Sequence, residues 1–186
     1  MLGGYFPKVV VARPEWLADP RVDEICSVST CVSSGPDGWI DKWLHNWFGW
    51  FNTISDAWAV VPPEQVAQYR LFAYRLAPVF YHRGEPKPIE RPEDAHPEPL
   101  PDGFVSLGFD TFNKSSFGVL GFECSPLSCN SMSPEFAVNR YCLADSADEG
   151  HAAAKRCAIE QPEPGDYYMA EVLERQSRGR RTRGFS

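Results

Sequence analysis

Residues 84–103, "GEPKPIERPEDAHPEPLPDG", constrain the fold more than any other stretch, because they carry six prolines, six acidic residues and no aromatic residue. Proline lacks the backbone donor that helices and ladders use, and prolines at this density hold a chain near polyproline II. The stretch therefore predicts an extended, semi-stiff linker. It divides the chain into an N-terminal lobe, residues 1–83, a C-terminal lobe, residues 104–174, and an arginine-rich tail, residues 175–186. A PxxP ligand has a similar composition, but a connector accounts for it without a partner.

The N-terminal part is dominated by aromatic residues. "FPKVVV", residues 6–11, is short and β-branched and suggests a first strand. In "SGPDGWIDKWLHNWFGWFNTISDAW", Ile40, Trp43, Leu44, Trp47, Phe48 and Phe51 recur at three- and four-residue steps, the period of one helix face, with Asp37 as an N-cap. Pro62, Pro63 and Glu64 then open a second predicted helix, on which Val66, Tyr69, Phe72, Ala73 and Leu76 form the apolar side. The expectation is a helical hairpin. A membrane-surface helix would carry a face rich in Lys and Arg, and the aromatic segment has a single Lys, so its tryptophans are assigned to a core. No run approaches the roughly 18 apolar residues of a spanning helix.

Beyond the linker the pattern becomes strand-like. "FVSLGFDTF" and "GVLGFEC" flank the turn-prone "NKSS", and "VNRYCLA" is a third candidate strand. Ser146 and Glu149 fit a capping box ahead of the Ala-rich "ADEGHAAAKRCAIE", and "YYMAEVLE" alternates as a last strand. The expected fold is α+β, with the aromatic-rich helical N-terminal lobe packed on a small, mostly antiparallel sheet that carries one helix in the C-terminal half.

Charge points to partners. The chain has 18 basic and 25 acidic residues, a formal charge of −7. All 25 acids fall in residues 1–174, against 13 basic groups. An acidic body repels nucleic acid and speeds association with a basic protein. Only the tail, through Arg178, Arg180, Arg181 and Arg183, offers nucleic acid a contact, and its composition predicts a disordered end. The N-terminus has no secretory pattern, which places the protein in the cytoplasm. There is no phosphate-binding glycine loop, helical His pair or nucleophile elbow.

The remaining chemistry lies in six cysteines. "EICSVSTCVS" and "GFECSPLSCN" share the spacing Cys-Ser-x-x-x-Cys. Cys26, Cys31, Cys124 and Cys129 could together bind zinc, although structural zinc pairs usually leave two residues between cysteines. Alternatively Cys129, just upstream of a short helix opened by Ser133 and Pro134, or Cys124, could act as a nucleophile with His151 or His45 as base. The plain alternative is that these thiols, with Cys142 and Cys157, fill a reduced core. Asp110, Asn113 and Lys114 offer a polar rim typical of a hairpin.

"SLGFD", "FECSPLSCN", "VNRYCL" and "EPGDYYMAEV", spread over residues 104–174, together resemble a set of bacterial proteins. The resemblance implies a bacterial cytosolic setting and assigns no catalytic role. The expected function is a non-enzymatic binding or accessory protein of the inhibitor, immunity or defence-associated type, whose acidic body meets a protein partner. The alternative is a cysteine-dependent transferase or hydrolase.

Overall fold

Among the described residues the last strand is the centre of the sheet. β8 (Asp166–Arg175) pairs along one side with β7 (Phe104–Lys114) and along the other with β4 (Arg70–Leu76) and then β5 (Val79–His82). β1 (Leu2–Lys8) lies outside β4, and β6 (Glu85–Pro88) outside β5. Every pairing is antiparallel, and the sheet curls into half a barrel. β2 (Val11–Ala12) and β3 (Glu24–Ile25) form a separate two-stranded ribbon. This computed structural model describes residues 1–114, 124–128 and 133–176.

The helical N-terminal lobe is overturned. "RLFAYRL", expected within a helix, is β4, and Pro63–Gln68 before it is a 3-10 turn. The two-residue alternation wins because both sides of this strand find cover. Phe72 and Tyr74 share the face of Val172 and Glu174 on β8, whereas Ala73 stands opposite Leu173. Up to Thr53 the aromatic segment is not a continuous helix either. It contains one 3-10 turn, Trp39–Lys42, with left-handed residues at both ends, Gly38 (φ 65°) and Trp43 (φ 53°). It then doubles back so that Phe51 exchanges both backbone hydrogen bonds with Tyr5 on the outer edge of β1. Phe48, Trp50 and Phe51 enter the core, and Trp50 packs on Tyr74 with ring centroids 4.9 Å apart. A continuous helix would point Trp43 and Leu44 the same way, but both are exposed.

Residues 84–103 begin as β6 and continue across the sheet surface. The Tyr5 hydroxyl donates to the carbonyls of Glu98 and Pro99, Ala95 is buried, and the Glu98 carboxylate accepts from the amide of Ile54 at the start of α1 (Ile54–Ala59). Because β4 pairs with β8, segments before and after this stretch share one sheet.

α2 (Ala147–Glu160) starts at the expected capping box of Ser146 and Glu149. Its small residues Gly150, Ala153, Ala154 and Ala158 let it lie close over β7 and β8. A Cβ at Gly150 would stand 3.0 Å from Met169 Cγ, so this glycine permits the approach. "VNRYCLA" forms a loop in which Ala144 bridges Phe109 on the outer edge of β7. "GVLGFEC" lies outside the described residues apart from Cys124. Among the described residues no helix is long and apolar enough to cross a membrane.

Candidate functional site

The two Cys-Ser-x-x-x-Cys segments meet, and they meet through serine. Asp110 projects from β7 into the interior, fully buried. Its Oδ2 accepts from the Ser27 hydroxyl at 2.8 Å and the Val28 amide at 2.6 Å, while Oδ1 accepts from the Ser125 hydroxyl at 2.7 Å. Ser27 follows Cys26 and Ser125 follows Cys124, so corresponding residues of the repeated pattern hold opposite oxygens of one carboxylate. Burial raises the Asp110 pKa above its usual range, and the three donors oppose that rise.

Lys8, at the end of β1, is the second charge in this interior, 1% exposed. Its ammonium donates to the carbonyls of Ser27, Val28 and Ser29 at 2.6, 2.9 and 2.5 Å. Three N–H groups meet three oxygens, so the donor capacity of the ammonium is spent. Burial draws its pKa down to about 7, against the pull of nearby Asp110. Buried in this way, Lys8 and Asp110 pin residues 27–29 and 125 to the sheet. Sequence reasoning missed Lys8 and placed Asp110 at a rim. The available signal was a lone charge inside each apolar strand pattern, "YFPKVVV" and "GFDTF".

Among the described residues the cysteines form no group that could hold a metal ion. Cys26 is buried, 3.8 Å from the Glu24 carboxylate, and burial raises its pKa strongly. Cys31 is free and exposed. Cys124 is held in a disulfide, so its sulfur is neither a thiolate ligand nor a nucleophile in this state. Cys129 lies outside the described residues, as do Arg178, Arg180, Arg181 and Arg183. His151, on α2, has Nδ1 3.2 Å from the Tyr81 hydroxyl. Among the described residues no group of three or more His, Cys, Asp or Glu side chains is placed to hold a metal ion. Cys142 and Cys157 are buried, and burial pushes both thiols up to about 12.

The exposed chemistry is aromatic. Ile40, Trp43, Leu44 and Trp47 all reach solvent, Trp43 being 77% exposed. The loop that carries them is anchored from below. Asn46 Oδ1 accepts from the amides of Phe48 and Trp50, its Nδ2 donates to the Gly3 carbonyl, and Trp39 sets its edge on Phe6 at 4.9 Å. Lys114 places Nζ 3.0 Å from the centre of the Trp47 ring, and burial lowers its pKa to about 8. The His45 ring lies against Trp39 and Trp43, with centroids 5.2 and 6.2 Å away. Asp37 and Asp41 flank the loop, exposed. Compared with known protein families, curated proteins and solved structures, this chain matches none.

Proposed function

We propose that this chain is a non-enzymatic binding protein that docks a basic protein partner on the loop of Ile40, Trp43, Leu44 and Trp47. The observation that carries this reading is Trp43. A bulky side chain in the left-handed backbone region costs roughly 1–2 kcal/mol, and a tryptophan facing water forgoes its burial. Both costs fall on the same residue, in a loop whose neighbouring rings are packed in the core. Such strain concentrates where function requires it. Contiguous exposed apolar side chains mark interaction sites, and tryptophan is enriched among the residues that dominate binding energy. The excess of acids over bases in residues 1–174 favours a cationic partner.

The test is capture from a cell extract on immobilised wild-type protein and on a Trp43→Ala/Leu44→Ala variant, each checked for folding by circular dichroism. The reading expects a basic protein held by the wild type at low salt, released as salt rises, and lost from the variant; titration of that purified protein then gives the affinity. Equal capture by both forms, or no capture by the wild type, overturns it.

A further inference from the structure

Tyr74 and Asp110 lie on strands that flank β8 from opposite sides. Tyr74 stands opposite Val172 and Asp110 opposite Ala170. Residues opposite one another, or two apart along a strand, share a face, so both side chains enter the same interior. Both are completely buried. The Tyr74 ring packs against Trp50 and Phe72, yet among the described residues its hydroxyl has no hydrogen-bond partner. Buried hydroxyls are seldom left so, because the lost hydration is not returned.

The bonds to Asp110 identify the matching gap. Each carboxylate oxygen can accept two hydrogen bonds. Oδ2 is filled by Ser27 and Val28, whereas Oδ1 receives Ser125 alone. One acceptor position on Oδ1 is left over, and one donor on Tyr74 is left over, with no direct bond between them. Ser128 adds a third unpaired group. Its amide donates to the Ser125 carbonyl, and its hydroxyl is buried with no partner among the described residues.

We propose that this interior is a binding site for one structural water, which accepts from Tyr74 Oη and donates to Asp110 Oδ1. Water is the smallest group that both accepts and donates, and buried waters typically serve polar groups that protein atoms leave unsatisfied. A metal cation there would be repelled by the Lys8 ammonium, whose charge already acts on Asp110, and an anion would face the Asp110 carboxylate. A neutral molecule meets neither repulsion. The water completes the link between β4 and β7 across β8, and its remaining positions can serve the Ser128 hydroxyl.

A high-resolution crystal structure of the wild-type chain tests the site directly. A discrete solvent peak within hydrogen-bond distance of both Tyr74 Oη and Asp110 Oδ1 is expected, and ordered side chains with no peak between them overturn the proposal. Thermal melting of Tyr74→Phe gives an independent test. If the hydroxyl binds water, its removal lowers the melting temperature; if it is a bare orphan, its removal leaves the temperature unchanged or raises it, and the proposal falls. Should Tyr74→Phe not fold, the wild-type crystal structure alone decides.

Discussion

Ser27 and Ser125 hold opposite oxygens of the same carboxylate, so two distant loops are fixed to β7 by one side chain. Asp110→Asn removes the buried charge near Lys8 and puts an NH2 donor either where Ser125 donates or where Ser27 and Val28 donate. The expected loss is about 3–5 kcal/mol of unfolding free energy. Ser125→Ala empties a single position and costs about 1–3 kcal/mol. Ser27→Ala costs more than Ser125→Ala, because Ser27 Oγ also accepts from the Ser29 amide. Urea denaturation of the three variants gives the order, and equal losses would contradict the arrangement.

Lys8 makes stability depend on alkaline pH. Its folded pKa of about 7 lies below the ordinary value of 10.5. Between these values the unfolded chain binds more protons than the folded one, so the Lys8 contribution to stability rises with pH across this window. Below about 7 both states carry the proton and the dependence from this group vanishes. Lys8→Met abolishes the slope and also strands three carbonyls. Comparing the urea midpoints of the two proteins through the window isolates the effect, since other groups titrate alike in both.

Trp43→Gly separates folding from binding. Glycine adopts the left-handed backbone without the steric cost, so this variant is expected to be as stable as the wild type or more stable by up to about 1 kcal/mol. Partner capture is lost. Trp50→Ala removes a packed core ring instead and costs about 3–5 kcal/mol. If Trp43→Gly destabilised the chain as strongly as Trp50→Ala, Trp43 would belong to the core.

Alkylation of the native chain near pH 8 orders the four free thiols of the described residues. Cys31 reacts first because it is exposed, while Cys26, Cys142 and Cys157 stay protected until unfolding, being both buried and held as protonated thiols. Mass spectrometry of digested samples over time shows the order. Rapid labelling of any buried thiol would reveal an opening that the fold does not contain.

The parts of the fold visible in the sequence are those governed by neighbours along the chain. The α2 start follows from Ser146 and Glu149, β7 from an apolar, β-rich run, and the centre of β8 from the alternation of "YYMAEVLE". The aromatic segment misled because its three- and four-residue spacing matches a helix by chance. Gly38, Asn46 and Gly49 supply the local turns that break it, and aromatic side chains suit extended backbone as well as they suit helices. β4 was ambiguous for a similar reason, since "RLFAYRL" satisfies both periods and only the arrival of β8 decides between them. The repeated Cys-Ser pair was conspicuous. That oxygen and not sulfur does the joining depends on Asp110, which is distant from Ser27 in sequence, and on Lys8, which the repeat does not include.

The central position of β8 has a consequence for synthesis on the ribosome. The strand that β4, β5 and β7 all need is made after each of them, so a nascent chain that has not yet reached Asp166 carries three strands with unsatisfied edges. The sheet closes only once residues 166–175 have emerged, and a polypeptide cut short before Asp166 lacks the strand that joins β4, β5 and β7.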